Sequence, residues 1–307
     1  MNKRKCGRLP ETPETCIDRF CDILEESLAP RTVKGYRQDL KRITRVLEEN
    51  NKHTMPWDIT ESDVNWLLGF YKSEGMTVST RRSYMSSLKQ YTEYYGNPLI
   101  SRMRIRWPHD DRPNVDWITE EQAKKLLSLP MTPVQELVIH CELCLGMRRI
   151  EVLRLKPSSF KGGFVDILGK GTQGGKPRLM PYNHDTQRVF DRYMDYRNSI
   201  ISVAVQKAGI NVPVPENLLI YSKGSALYAY NEKGSGIDSL IKPLADQIDT
   251  HFSNHTLRRT FGRIMFRCDV DVVIISKMLG HESIEMTLKY IGANLDDMGS
   301  AMSKFRL

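Results

Sequence analysis

Apolar residues recur at helical spacing along both halves of the chain, and they lose that spacing over the stretch "YGNPLISRMRIRWPHDDRPNVDW", residues 95–117. Pro98, Pro108 and Pro113 lack a backbone donor and push their predecessors towards extended backbone, so no regular helix can run through the segment. This interruption predicts two helical units joined by a linker. A chain of 307 residues is long enough for each unit to bury its own core. The spacing places an N-terminal bundle at 1–100, a linker at 101–116 and a second unit at 117–307, whose tail over 294–307 carries Leu295, Met298, Met302 and Phe305 at helical intervals.

Within the first unit, Ile17, Phe20, Leu24 and Leu28 form one stripe. Pro30 breaks it, Thr32 is a plausible cap, and Val33, Tyr36, Leu40, Ile43 and Leu47 form the next. A third helix opens at Thr60 or Ser62, and a fourth carries Tyr84, Leu88, Tyr91 and Tyr95. No strand alternation is present in this half. The second unit restarts helix with the capping boxes "TEEQ" (119–122) and "TPVQ" (132–135), the latter with Pro133 at the first helical position. Helix is expected to continue past Gly146 through "MRRIEVLRL". Short apolar runs around the Gly-rich turn in "GGFVDILGKGTQGGKPRLMPYN" (162–183) predict a hairpin or small sheet. Residues 184–208 and 237–248 are expected as helices, 213–236 as mostly loop with "NLLIY" extended, and the remainder as helix broken near Asp269, Gly280 and Gly292. The fold class is therefore mainly α with a small β-hairpin or sheet, α+β.

Charge and cysteine content narrow the function classes. The net charge of +8 is spread over both units: residues 1–116 hold 20 Lys+Arg against 17 Asp+Glu, leaving 25 against 20 of the chain's 45 and 37. A distributed basic excess suits a protein that grips a long polyanion from two sides. Six irregularly spaced cysteines and the lack of an apolar leader lead us to expect reduced thiols and a cytoplasmic location. "CELC" (141–144) lies inside an apolar run without a second CxxC, so core packing is preferred over a redox or metal site. No apolar run approaches the roughly 18–20 residues of a membrane span.

Several charged residues occupy costly places. Arg148 follows an apolar helix and a glycine, with Glu151 one turn on; an exposed Arg/Glu pair would explain both. Lys170 sits at the tip "GKG". His255 and Arg258 share a helix face at i and i+3, with Arg259 expected to point elsewhere. His281 follows Gly280, and Tyr290 lies nine positions later. Each has an ordinary structural explanation alone, but their order is distinctive. "GMRRIEVLRL", then a hairpin lysine, then "HTLRRTF", then "MLGHESIEMTLKYI", with 23 positions between Arg258 and His281, resembles the tyrosine recombinase (phage integrase) family. The resemblance covers nearly the whole chain, since residues 15–96 look like that family's helical core-binding domain.

The resemblance implies a reaction and roles. Arg148 and Arg258 would hold the non-bridging oxygens of a DNA phosphodiester in bidentate fashion as charge builds on them. Tyr290 would attack phosphorus to give a 3′-phosphotyrosine, which conserves the bond for rejoining without ATP. His255 would act as acid/base, Lys170 as acid for the leaving 5′ oxygen, His281 would hydrogen-bond the phosphate or the tyrosine, and Glu151 would orient its neighbours. No metal or other cofactor is implied, because the arginines supply the positive charge. Two departures leave alternatives open: Arg149 stands beside Arg148 as a second candidate for the phosphate, and Lys176, itself a candidate DNA contact, competes with Lys170 as the acid.

Against duplex DNA, the basic faces with Lys34, Arg37 and Lys41 and with Arg81 and Arg82 are the candidate phosphate contacts of the N-terminal bundle. Family members often dock the tail on a neighbour, so a homo-tetramer at paired recombination sites, with tails 294–307 exchanged, is expected. Integration or excision of a mobile element, viral or plasmid, is the expected task. Inversion of a DNA segment and dimer resolution use the same chemistry; a type IB topoisomerase or an inactive DNA-binding relative is the more distant alternative.

Overall fold

The computed structural model describes residues 11–108, 116–169, 177–231, 236–292, 297 and 302–303. The chain divides into two compact units, Met1–Arg112 and Pro113–Leu307.

The first unit is helical throughout its described residues: α1 (Pro13–Glu25), α2 (Pro30–Glu49), α3 (Glu61–Ser73), α4 (Val78–Tyr94) and the single turn α5 (Leu99–Arg102). Thr12 caps α1 and Thr60 caps α3, each in a reciprocal box with the third helical residue. Helix α2 starts earlier than Thr32 would have it. Pro30 takes the first helical position, where its fixed φ fits and its missing N–H costs nothing. The apolar stripes converge on one core of Ile17, Phe20, Leu40, Ile43, Leu67, Leu88 and Tyr91, all nearly or fully buried. Each such side chain contributes roughly 1.5–3 kcal/mol by leaving water. Aromatic edges tie the stripes together, with Phe20 meeting Tyr91 at 5.6 Å between centroids. The Tyr95 hydroxyl donates to the Cys16 carbonyl at 2.9 Å.

The second unit begins with α6 (Glu120–Ser128) and α7 (Pro133–Ile139), opened by the capping boxes of Thr119 and Thr132. A π-turn over His140–Cys144 extends α7 and buries Cys141. The helix does not run on through Gly146, as its sequence pattern suggests it should. Gly146 takes φ +60°, and a Cβ there would lie 2.4 Å from the Phe261 ring. The chain turns at this glycine and restarts as α8 (Arg149–Arg154), with Arg148 at the cap position. After a 3₁₀ turn at Pro157–Ser159, strands β1 (Phe160–Lys161), β2 (Phe164–Leu168) and β3 (Pro177–Pro181) form an antiparallel sheet in sequence order. Val165 opposes Met180 and Ile167 opposes Arg178, so these four side chains share a face.

The long helix α9 (His184–Ala208) packs across α7, and buried Arg197 donates to the carbonyls of Pro215, Asn217 and Leu218. Within the segment expected to be mostly loop, β4 (Ile220–Lys223) and β5 (Ala226–Ala229) form a second hairpin. Helices α10 (Gly236–Gln247), α11 (Asn254–Arg267), α12 (Val272–Leu279) and α13 (Ile284–Ile291) complete the unit. Asp269, Gly280 and Gly292 all take positive φ, which separates the last three helices as their sequence signals predict. The core centres on Leu137, Val138, Ile139, Val152, Leu257, Ile275 and Leu279. Among the described residues no helix is long and apolar enough to cross a membrane.

Candidate active site

Helix α11 is apolar on the side carrying Leu257 and Phe261, and this face buries against the π-turn following α7. Burying that face carries Arg258 in with it, leaving its side chain 1% exposed. A guanidinium cannot remain there unpaired. It donates to the Gly146 carbonyl at 2.5 Å and to the Leu279 carbonyl, and lies 3.5 Å from Glu151 Oε2. The turn at Gly146 and the end of α12 thus expose the two carbonyls that Arg258 needs.

Glu151, with no exposed surface, is the centre of the cluster. Arg148 donates to it twice, from Nη1 to Oε1 at 2.9 Å and from the backbone N–H to Oε2 at 2.8 Å. Arg178 grips the same carboxylate from the other side, Nη1 to Oε1 at 2.9 Å and Nη2 to Oε2 at 2.8 Å. Burial alone would raise this carboxyl, but the Arg178 hydrogen bonds and the charges of Arg178 and Arg258 hold it below the ordinary glutamate value. Arg148, Arg178 and Arg258 around one carboxylate leave a net charge of +2, with Arg148 the most exposed of the three at 25%.

Helix α13 lays Tyr290 across this cluster. Its hydroxyl is 3.2 Å from His255 Nδ1. The His281 ring meets the Tyr290 ring edge-on at 4.9 Å between centroids, while His281 Nδ1 is 2.9 Å from the Thr287 hydroxyl one turn before Tyr290. Arg258 and Arg259 lie 5.8 and 5.5 Å from the tyrosine ring centroid. Arg259 therefore does not point elsewhere, as the helix face suggests: α13 crosses α11 so that both arginines reach one ring. Burial raises the Tyr290 phenol above its ordinary value, against the lowering pull of Arg258, Arg259 and Arg148. Desolvation, then the nearby guanidiniums, push both imidazoles well below theirs, Arg259 first for His255 and Arg258 first for His281. At neutral pH the arrangement is a protonated phenol beside a neutral imidazole, within a field of arginines. Such a site suits an anion that must be attacked by an oxygen nucleophile.

Arg149 diverges from Arg148 and reaches Asp238, Nε to Oδ1 3.3 Å, away from Glu151. Lys170 and Lys176 lie outside the described residues, as does the tail over 294–307 apart from residues 297, 302 and 303. Asp297 accepts two hydrogen bonds from buried Arg263, at 2.7 and 2.8 Å. Arg178 escapes sequence reasoning, although a signal exists. Period-two alternation puts it on the same face as Met180, where a guanidinium demands a buried carboxylate. Among the described residues, no group of three or more His, Cys, Asp or Glu side chains could hold a metal ion.

In the first unit the cations expected to face DNA differ in their protein partners. Arg37 pairs with Asp18 and lies 3.5 and 3.8 Å from Asp22 and Glu25, and Lys41 reaches Glu14 at 2.6 Å. Acidic residues along α1 thus occupy these two cations and knit α1 to α2. Lys34 and Arg82 are exposed, and Arg82 also stacks over Trp107 at 5.6 Å. Arg81 is partly buried.

Residues 116–296 match the Phage integrase family, and residues 17–95 match the Phage integrase N-terminal SAM-like domain. A protein named Tyrosine recombinase XerD from Oceanobacillus iheyensis is 24% identical over 304 residues, covering 93% of this chain and 97% of the relative. Tyrosine recombinase XerC of the same organism is also 24% identical, with 95% of each chain covered. Among solved structures, XerH recombinase bound to palindromic difH substrate superposes with a TM-score of 0.69 at 16% identity, covering 95% of this chain and 84% of that one. A lambda integrase dimer bound to a COC′ core site gives 0.65 at 16%, covering 95% and 98%. The architecture is thus shared far beyond what identity reveals. With the arginine boxes, the Leu-Gly-His turn and Tyr290 gathered at one site, and with the match spanning most of the chain, this protein belongs to the phage integrase family of tyrosine recombinases, enzymes that cleave and rejoin DNA strands.

Proposed function

We propose that the chain is a site-specific recombinase whose Tyr290 cleaves DNA by transesterification. The observation that carries this reading is the Tyr290 hydroxyl held 3.2 Å from a neutral His255 above the Arg148–Glu151–Arg258 cluster. The phenolic oxygen attacks the scissile phosphorus as its proton passes to His255 Nδ1. The phosphorus–oxygen bond to the 5′ carbon's oxygen breaks, and that oxygen takes a proton from Lys170, or from Lys176 as the alternative. A 3′-phosphotyrosine and a free 5′-hydroxyl result, and a 5′-hydroxyl of the partner strand reverses the step. Arg148 and Arg258 bind the non-bridging oxygens, where each such donor is worth about 10²–10³ in rate. His281 packs the nucleophile and offers Nε2 to the phosphate, while Glu151 holds the arginines in register.

Residues 1–100 bind the core of the site and residues 117–307 form the catalytic unit, joined by 101–116. Lys34, Arg81 and Arg82 contact phosphates, whereas Arg37 and Lys41 do so only by exchanging their carboxylate partners. The active assembly is a tetramer on two sites, with tail 294–307 passed to a neighbour. In the free chain Asp297 is held by Arg263 of its own α11, so exchange must break that pair. Both relatives aligned over nearly the whole chain carry Xer recombinase names, which favours resolution between two sites of one circular molecule over insertion of a mobile element.

The test is covalent trapping on nicked duplexes in EDTA. An SDS-resistant adduct at a defined sequence, absent in Tyr290→Phe, is the expected result. Intact DNA binding without any adduct overturns the reading. Plasmids bearing two trapped sites then separate the tasks, since deletion outrunning intermolecular insertion supports resolution.

A further inference from the structure

All three guanidinium nitrogens of Arg178 donate to protein acceptors. Both its Nη atoms chelate Glu151, and Nε donates to the Met278 carbonyl at 3.0 Å. It is 12% exposed and belongs to β3, not to the α8 cap that carries Arg148 or to the helices that carry His255, Arg258 and Tyr290. Its guanidinium also fills the space beside Gly280, where a Cβ would meet Arg178 Nη1 at 3.2 Å and Cδ at 3.3 Å. One side chain therefore spans the sheet, the carboxylate at the heart of the site, and the turn that leads into His281.

Electrostatics gives this placement a purpose. A fully buried carboxylate attracts whatever cation is nearest, and Arg148 and Arg258 both touch Glu151. Were Glu151 neutralised by those two alone, their charge and their N–H groups would be spent on a protein anion in competition with the phosphate. Two parallel N–H donors from Arg178 satisfy one lone pair on each oxygen of the carboxylate, in the fork geometry that lysine cannot reproduce. The geometry points to Arg178 as a positioning residue for strand cleavage: it neutralises and orients Glu151 so that Arg148 and Arg258 keep their charge for the scissile phosphate, and it fixes the 278–280 turn that aims His281. This rests on the reaction proposed above but assigns a role to a residue outside the family boxes quoted in the sequence.

The test compares R178Q, E151Q and R178Q/E151Q with the parent protein. Single-turnover cleavage of a nicked duplex by R178Q is expected to fall about 10²-fold, with Kd for DNA changed by less than about threefold, because Arg178 is not itself a phosphate ligand. Removing the carboxylate's charge as well should restore the double variant to within about tenfold of E151Q alone, a non-additivity that lost packing does not produce. Losses that multiply, or an R178Q enzyme as fast as the parent, would overturn the proposal. Should R178Q fail to fold, R178M, which removes both the charge and the fork, and R178M/E151Q are expected to give the same ordering. Binding of orthovanadate, followed by ⁵¹V line broadening, needs no DNA chemistry. The order parent, then the double variant, then R178Q, in a parent that forms no adduct, upholds the inference and sinks the proposed reaction. A cleaving parent whose R178Q variant binds vanadate as tightly sinks the inference alone.

Discussion

The two units handle charge in opposite ways. In the first, Arg37 and Lys41 meet their acidic partners on the surface of α1 and α2, above a core of aliphatic and aromatic side chains. In the second, Arg258 and Glu151 are buried at 1% and 0% exposure, and two further guanidiniums crowd the same carboxylate. Surface pairs are worth about 0–1 kcal/mol, whereas an interior pair has a desolvation penalty that can exceed its attraction. The first arrangement trims a fold that is already stable. The second makes sense only if the buried positive field is used, and it marks the region where stability and activity are in tension.

That contrast can be broken from either side. The largest effect expected is in the second unit without loss of fold: Tyr290→Phe should abolish the covalent adduct on nicked DNA while leaving the melting temperature within a degree or two. A Tm that collapses would mean the phenol is structural. Next, Glu151→Ala should destabilise by about 3–5 kcal/mol in urea titration, because three guanidiniums lose their shared counter-charge. A change below about 1 kcal/mol would show that water relieves the cluster. In the first unit a comparable loss, about 2–5 kcal/mol, requires an apolar deletion such as Leu67→Ala, and a smaller loss would mean the aromatic stripes collapse around the gap.

Acid should separate the units more gently. His255 and His281 are depressed to about 4 in the folded chain, so below about pH 6.5 the unfolded chain binds more protons. Stability is then full above pH 6.5 and declines as pH falls towards 4. The double variant His255→Gln/His281→Gln should flatten that slope in thermal melts; an unchanged slope would place the proton uptake elsewhere. The smallest effect is expected for Arg37→Ala, below about 1 kcal/mol. A larger loss would erase the distinction between rim and interior.

Much of this is legible in the sequence. Helix-period stripes and capping boxes locate most helices, because both depend on local geometry, and α9 falls where its pattern puts it. The three quoted motifs "GMRRIEVLRL", "HTLRRTF" and "MLGHESIEMTLKYI" supply Arg148, Glu151, His255, Arg258, His281 and Tyr290, which lie together, with Arg148 separated from Arg149 by their partners. What stayed hidden depends on packing between elements. The helix stops where Gly146 takes positive φ, and the space beside it is closed by the Phe261 ring, more than a hundred positions away in sequence. Arg259 joins the tyrosine through the crossing of α11 and α13, which no single helical wheel contains. The pairing of Arg37 and Lys41 was readable in principle, since Glu14, Asp18, Asp22 and Glu25 line α1 at spacings of four, four and three.

Gly146 also sets a rule for how this chain can vary. Its left-handed backbone alone would admit asparagine or aspartate at modest cost, but the Phe261 ring closes the space any side chain would occupy. The carbonyl of the same residue receives Arg258, so a shift of the backbone here would also disturb the buried guanidinium. A library randomised at 146 should return glycine alone, while one that also shrinks the residue at 261 should admit asparagine and aspartate first.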